Sequence, residues 1–192
     1  MKNTCCLILS AGESSRFGKI KQLSLLNGIP IVNRLVNEVK KIFDQDVFLV
    51  LGAYKEKIQP LIENNVNIII NNEWQIGIGS SISVGIKKIS AYKKYHAVLI
   101  VLVDQVHLCS EDFMLLMQSF DGNKIVATKY EDSVGVPAIF PMSFSNELKK
   151  LKDDHGAKFF LNNNKTLVKQ ILLPNSLKDM DTPEDFLNLK KI

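Results

Sequence analysis

Four stretches of the chain are almost continuously apolar and rich in Val, Ile and Leu, at residues 5–9, 47–51, 66–70 and 97–103. Runs of this kind, without alternating polar positions, are typical of parallel strands that are covered on both faces. Helical stretches are predicted between them, at 31–43, 55–63 and 81–89. Strands that alternate with helices predict a doubly wound α/β sheet.

The second half of the chain is less regular. Ser110, before Glu111 and Asp112, is a suitable N-cap for a helix that ends near Ser119. Short strands are predicted at 124–128 and 137–140, at an edge or antiparallel, followed by helices at 144–152 and 156–162 and a strand at 167–173. No repeat or linker divides the chain, so its 192 residues predict a single domain, 1–192.

Composition and charge exclude several classes of protein. The net charge of +4 suits anionic small molecules, but no dense basic tract indicates a nucleic-acid surface. No apolar stretch approaches the ~20 residues of a membrane span, and the first apolar run is too short for a secretory signal. Cys5, Cys6 and Cys109 lack the spacing of metal ligands, and adjacent strand positions would point Cys5 and Cys6 to opposite faces. We therefore expect a cytoplasmic protein with reduced thiols.

The segment 7–21, Leu-Ile-Leu-Ser-Ala-Gly-Glu-Ser-Ser-Arg-Phe-Gly-Lys-Ile-Lys, carries an apolar strand into a glycine- and serine-rich loop. Such a loop offers backbone N–H groups and the cations Arg16 and Lys21 to a polyphosphate. It is not a Walker A loop, because five residues separate Gly12 from Gly18 and Ile20 replaces the hydroxyl residue. It also lacks the G-x-G-x-x-G fingerprint of dinucleotide-binding proteins. The alternative is a solvated surface turn.

Two further segments carry candidate chemistry. Asp104 follows the apolar run 98–103, where a carboxylate would be directed at the ligand crevice and hold Mg²⁺ against a triphosphate; the alternative is a simple turn residue. The segment 77–81, Gly-Ile-Gly-Ser-Ser, predicts a turn that opens a helix, with Ser80 or Ser81 as its N-cap. Helix N-termini favour anions, so the cap and a binding role are compatible.

The opening motif, Leu-x-Leu-Ser-Ala-Gly-x-Ser-x-Arg-x-Gly-x-x-Lys followed by Asn-Gly-Ile-Pro-Ile-Val at 27–32, resembles the nucleotidyltransferases that act on sugar phosphates and molybdopterin. Segments 74–81, 103–105, 135–140 and 179–185 resemble the molybdenum-cofactor cytidylyltransferase branch of that superfamily. The resemblance extends from residue 4 to about residue 189. It implies a Rossmann-like three-layer α/β/α fold of the nucleotide-diphospho-sugar transferase type, with a mostly parallel mixed sheet and one antiparallel strand.

The resemblance also implies a site. Arg16, Lys21 and Asp104 would be catalytic, and Mg²⁺, with Mn²⁺ as an alternative, would be held by Asp104 and by either Asp179 or Asp181. A helix start explains Thr182 and Pro183, but it does not explain Asp179 and Asp181. The nucleotide, CTP, would contact Leu9, Ser10, Ala11, Gly12, Glu13, Ser14, Ser15, Arg16, Lys21, Ser80, Ser81 and Asp104.

Segments 135–137 and 154–158 resemble the acceptor side of these enzymes. Two departures stand out: His155 replaces the usual cation before a glycine, and Val106 replaces a proline. The expected activity is a CTP:molybdopterin cytidylyltransferase, with a molybdoenzyme or its chaperone as a further partner. The rivals are a guanylyltransferase acting on the same cofactor, a sugar-phosphate nucleotidyltransferase, and a molybdopterin-binding chaperone without catalytic activity.

Overall fold

The computed structural model describes residues 3–62, 65–152, 154, 156–175 and 184. Within them, seven strands form one mixed sheet in the order β3-β2-β1-β4-β6-β5-β7. The strands are β1 (Thr4–Ser10), β2 (Val47–Leu51), β3 (Asn67–Ile70), β4 (Ala97–Leu102), β5 (Ile125–Lys129), β6 (Val134–Pro141) and β7 (Val168–Ile171). Only β6 in this sheet is antiparallel to its neighbours, β4 and β5. The mixed sheet with one antiparallel strand is therefore confirmed.

Helices cover both faces of the sheet. They are α1 (Ile31–Phe43), α2 (Lys55–Ile58), α3 (Ile78–Ala91), α4 (Ser110–Ser119), α5 (Ser145–Leu148) and α6 (Gly156–Asn163). One apolar cluster joins α1 and α4 to Cys6 and Ile8 of β1, and a second joins α3, α5 and α6 to Cys5 and Leu7 of the same strand. Burial of both faces explains why the strand sequences are continuously apolar. The three-layer α/β/α architecture is confirmed.

The central strands place their carboxyl ends at one edge of the sheet. β1 lies between β2 and β4 and is parallel to both, with Ser10 beside Leu51 and Leu9 beside Leu102. The Val103 N–H donates a hydrogen bond to the Leu9 carbonyl oxygen at 3.1 Å, which extends this pairing beyond β4. The loops after β1 and β4 therefore begin side by side, as expected of a ligand crevice in an open α/β sheet.

Several predicted helices differ from the observed ones in extent. The prediction 31–43 matches α1, but the helix predicted at 55–63 ends as α2 at Ile58 and continues as a 3₁₀ turn, Gln59–Leu61, that contains Pro60. Proline lacks the N–H that an α-helix would use there. The helix predicted at 144–152 is a 3₁₀ turn, Met142–Phe144, followed by the single turn of α5.

The predicted N-cap of α4 is wrong by one residue. Cys109, not Ser110, is the cap, and it forms a capping box with Asp112. The Cys109 N–H donates to Asp112 Oδ2 at 3.0 Å, while the Ser110 N–H donates to Glu38 Oε2 of α1 at 3.0 Å. Burial, together with the hydrogen bonds to Glu111 and Asp112, raises the pKa of the Cys109 thiol to about 11.

Cys5 and Cys6 are both fully buried and belong to opposite faces of β1, as predicted. Burial is the largest cause of the raised pKa of each thiol. In the described residues, Cys5, Cys6 and Cys109 are free thiols. No described helix has both the length and the apolar character that crossing a bilayer requires.

Candidate active site

A cleft of about 530 Å³ opens at the carboxyl ends of β1 and β4. The glycine-rich loop forms one wall, and Lys21 and Asp104 also line the cleft. The predicted nucleotide-binding residues that line it are Leu9, Ser10, Ala11, Gly12, Glu13, Ser14, Ser15, Lys21, Ser81 and Asp104. The structure therefore brings the loop, the lysine and the strand-end carboxylate into one cavity.

The loop after β1 ends in a 3₁₀ turn, Ser15–Phe17, between two residues in the left-handed region, Ser14 at φ 57° and Gly18 at φ 68°. Phe17 is 4% exposed and packs in the apolar cluster of α1 and α4, so it anchors the end of the loop. Arg16 belongs to this turn, but the position of its side chain lies outside the described part of the structure.

Gly52, directly after β2, holds the other side of the loop in place. The Ala53 N–H donates to the Ala11 carbonyl oxygen at 3.0 Å. A Cβ atom at Gly52 would lie 2.6 Å from that oxygen and 2.8 Å from Trp74 Cβ. Only glycine lets the two backbones approach this closely. The β2 end therefore fixes the position at which the loop leaves the sheet.

Lys21 and Asp104 form an ion pair across the cleft, with 3.2 Å between Lys21 Nζ and Asp104 Oδ2. Their side chains are 9% and 22% exposed. The second carboxylate oxygen, Asp104 Oδ1, is buried and has no hydrogen-bond partner among the described residues. A buried, charged oxygen without a partner costs free energy unless a ligand or cation meets it.

This unpaired oxygen fits a divalent ion. Magnesium is held by one or two carboxylates together with phosphate oxygens and water, so Asp104 is a suitable protein ligand. In the described residues no group of three or more His, Cys, Asp or Glu side chains could hold a metal. The predicted second ligands, Asp179 and Asp181, lie outside the described residues.

The start of α3 forms a second wall, but its cap differs from the prediction. The N-cap is Gly77, with φ 120°, so Ser80 and Ser81 are helical residues and neither is the cap. Ser80 Oγ donates to the Gly77 carbonyl oxygen at 2.7 Å, and Asn71 Nδ2 donates to Ser80 Oγ at 2.8 Å and to Ser81 Oγ at 3.0 Å. Gly77, Ile78 and Ser81 line the cleft. These hydrogen bonds therefore fix the N-terminus of α3, the positive end of the helix dipole, beside the cleft.

A second cavity of about 340 Å³ adjoins the first and shares Leu9, Ile78, Leu102 and Asp154 with it. From the segments expected on the acceptor side, Gly135, Val136, Asp154, Gly156, Ala157 and Lys158 line it. His155 lies outside the described residues. The segments expected on the acceptor side therefore line a cavity that adjoins the cleft, and Asp154 lines both.

Gln105 and Tyr130 also line the second cavity, and the sequence gives Tyr130 no distinguishing feature. Gln105 Nε2 donates to Tyr130 Oη at 3.1 Å and to the Val136 carbonyl oxygen at 2.9 Å, while Gln105 Oε1 accepts from the Leu102 N–H at 3.2 Å. The side chain after Asp104 therefore ties the end of β4 to the wall of the neighbouring cavity. The sequence pointed to Gln105 only as part of the segment 103–105 that resembles the cytidylyltransferase branch.

Comparison with known protein families identifies the chain as a nucleotidyltransferase. The family described as the MobA-like NTP transferase domain matches residues 6–168, most of the chain, and the protein belongs to that family. The superfamily expected from the opening motif is confirmed. No curated protein matches the chain.

Solved structures share this fold over nearly the whole chain. Rv0371c from Mycobacterium tuberculosis H37Rv is 20% identical with a TM-score of 0.88, covering 100% of this chain and 98% of its own. Its complex with manganese gives 19% identity, a TM-score of 0.83 and 98% coverage of both chains. Molybdopterin-guanine dinucleotide biosynthesis protein A from Archaeoglobus fulgidus is 14% identical with a TM-score of 0.72, covering 97% of this chain and 96% of its own. At these identities the likeness establishes the fold.

Proposed function

We propose that this nucleotidyltransferase transfers a cytidylyl group from CTP to the terminal phosphate of molybdopterin and releases pyrophosphate. The observation that carries the proposal is the Lys21–Asp104 pair in the cleft walled by the glycine-rich loop, with Asp104 Oδ1 buried and without a partner in the described residues. We expect the enzyme to act in the cytoplasm, where free thiols such as those of Cys5, Cys6 and Cys109 persist.

The proposed reaction needs positioning and charge neutralisation rather than a protein nucleophile. A phosphate oxygen of the acceptor attacks the α-phosphorus in line, and the bond from that phosphorus to the bridging oxygen of the β-phosphate breaks. Because the attacking oxygen is already anionic, no general base is required. Mg²⁺, held by Asp104 and by Asp179 or Asp181, supplies positive charge to the phosphates when it is bound.

Each residue then has a separate task in this proposal. Lys21 offsets the charge that develops at the α-phosphate, and Arg16 contacts the β- and γ-phosphates through its planar guanidinium group. The backbone N–H groups from Ala11 to Ser15 support the phosphates. The N-terminus of α3, with Ser81 at the cleft wall, adds its dipole.

The acceptor would occupy the 340 Å³ cavity, which is mainly apolar on the side of Ile78 and Ile82 and polar at Gln105, Tyr130 and Ser133. Such a lining suits a flat heterocycle with a few polar groups. A guanylyl transfer to the same acceptor is the second candidate, because molybdopterin-guanine dinucleotide biosynthesis protein A from Archaeoglobus fulgidus shares the fold.

Pyrophosphate release tests the proposal. Purified protein is mixed with molybdopterin, Mg²⁺ and either CTP or GTP, and then with CTP and an alditol phosphate in place of molybdopterin. We expect release only with CTP and molybdopterin, no release in EDTA, and recovery with Mg²⁺ or Mn²⁺.

The other outcomes point to the rivals. Pyrophosphate release with GTP and molybdopterin, but not with CTP and molybdopterin, identifies a guanylyltransferase. Release with CTP and the alditol phosphate identifies a sugar-phosphate nucleotidyltransferase. Tight binding of molybdopterin without pyrophosphate release under any condition would support the chaperone and contradict the proposed reaction.

A further inference from the structure

Gln22, the residue after Lys21, is 2% exposed and lies against the inside of the glycine-rich loop. Its Nε2 donates to the Gly12 carbonyl oxygen at 2.9 Å and lies 3.4 Å from the Ser10 carbonyl oxygen. Its Oε1 accepts a hydrogen bond from Ser14 Oγ at 3.3 Å. One side chain thus contacts the first, middle and last parts of the segment 10–14.

These contacts determine how the peptide groups of the loop are turned. In a trans peptide the carbonyl and the following N–H point in opposite directions. Because the carbonyls of Ser10 and Gly12 face Gln22, the N–H groups of Ala11 and Glu13 face away from it. Ala11 and Glu13 both line the cleft.

We propose that Gln22 is a positioning residue that holds these peptide groups in the orientation that binds a polyphosphate. The inference rests on the proposed function, in which this loop binds the triphosphate. Backbone N–H groups arranged in advance bind anions well because no reorganisation accompanies binding. Gln22 is suited to this task because its NH₂ group can face carbonyl oxygens while its oxygen accepts the serine hydroxyl.

A Gln22→Glu variant separates positioning from simple burial. A protonated carboxyl can donate to the Gly12 carbonyl and accept from Ser14, as glutamine does, whereas a carboxylate would face the two carbonyl oxygens with no proton to donate. Burial favours the neutral form of the new carboxyl group. The loop should therefore keep its orientation at low pH and lose it at high pH.

The experiment measures the affinity for tripolyphosphate with Mg²⁺ by calorimetry at about pH 5.5 and about pH 8.5. This probe makes the result independent of the nucleobase. We expect the dissociation constant of Gln22→Glu to be close to the wild-type value at the lower pH and weaker by about tenfold or more at the higher pH. Each value is taken relative to wild type at the same pH, which cancels the titration of the probe.

Gln75→Glu is the matched control, because Gln75 is exposed and lines the same cleft. Its carboxylate is ionised at both pH values, so any weakening by charge repulsion should not change with pH. Circular dichroism of the same samples establishes that the variants are folded. If Gln22→Glu unfolds at high pH, Gln22→Met replaces it and should weaken binding by about tenfold at both pH values, since it removes all three contacts.

Two results would overturn the inference. In the first, folded Gln22→Glu binds tripolyphosphate with an affinity that changes with pH no more than the affinity of Gln75→Glu does. In the second, Gln22→Met binds tripolyphosphate as tightly as the wild-type protein. A wild-type protein that binds no tripolyphosphate at either pH contradicts the proposed function itself. The two failures are therefore distinguishable.

Discussion

Lys21 and Asp104 lie 83 residues apart in sequence, yet their side chains meet at 3.2 Å. The pair holds opposite charges together at the place where the proposed triphosphate and its metal would bind. The lysine comes from the 3₁₀ turn Lys21–Leu23, and the aspartate follows β4. The segments that follow the neighbouring parallel strands β1 and β4 bring the two charges together.

We expect Lys21→Ala and Asp104→Ala each to lower the turnover of nucleotidyl transfer by about two or more orders of magnitude, the effect of losing a preorganised electrostatic contact. Pyrophosphate release under saturating substrates measures this. Lys19→Ala is the control, because it removes the same charge from an exposed position two residues away. Near-normal turnover in either cleft variant would remove that residue from the proposed mechanism.

At the residue scale, the sequence predicted the charged residues of the cleft but not the residues that hold the glycine-rich loop in position. Asp104 could be predicted because an acidic residue follows an uninterrupted apolar strand. Gln22 could not, because its partners are mainly backbone carbonyls that any sequence would present. Gly52 is similar, since its role depends on a close approach to Ala11 from another strand.

At the scale of single elements, the strands were predicted better than the ends of the helices. Buried parallel strands are continuously apolar, and β2 occupies the predicted range, 47–51. A helix start depends on one backbone conformation that several neighbouring residues could supply. Serines 80, 81 and 110 are all good caps by type, but Gly77 and Cys109 hold the cap positions.

The cap of α4 gives a test at this scale. Cys109→Ala should lower the free energy of unfolding by about 0.5–1 kcal/mol, the lower part of the range for losing a cap, because a thiol accepts hydrogen bonds more weakly than a hydroxyl. Cys109→Ser is the matched variant and should stay within about 0.5 kcal/mol of wild type, since serine is itself a favoured cap. Urea denaturation followed by circular dichroism measures both. Equal stability of the alanine and serine variants would show that the Cys109 side chain does not cap the helix.

At the scale of the whole molecule, two carboxylates join segments that are distant in sequence. Glu38 of α1 accepts hydrogen bonds from Lys41 and from the Ser110 N–H at the start of α4. Asp46, before β2, accepts from Lys94 at 2.8 Å and from the Tyr95 hydroxyl at 2.7 Å, which ties it to the segment before β4. For each, burial alone would raise the pKa, but the hydrogen bonds outweigh burial and hold the pKa below its ordinary value.

These lowered pKa values predict how the stability of the whole fold depends on pH. A carboxyl group that binds its proton less tightly when folded adds stability above its ordinary pKa, and that stability is lost as the pH falls through the folded value. The ordinary values are 4.5 for Glu38 and 3.8 for Asp46.

The free energy of unfolding should therefore fall as the pH drops from about 5 to about 3. In Glu38→Gln and Asp46→Asn this fall should be smaller, because each variant lacks one carboxyl group whose pKa is lowered by folding. Glu131→Gln, at an exposed position, should leave the slope unchanged. Denaturant titrations at several pH values give the slopes, and identical slopes in all four proteins would show that these contacts do not link acid titration to folding.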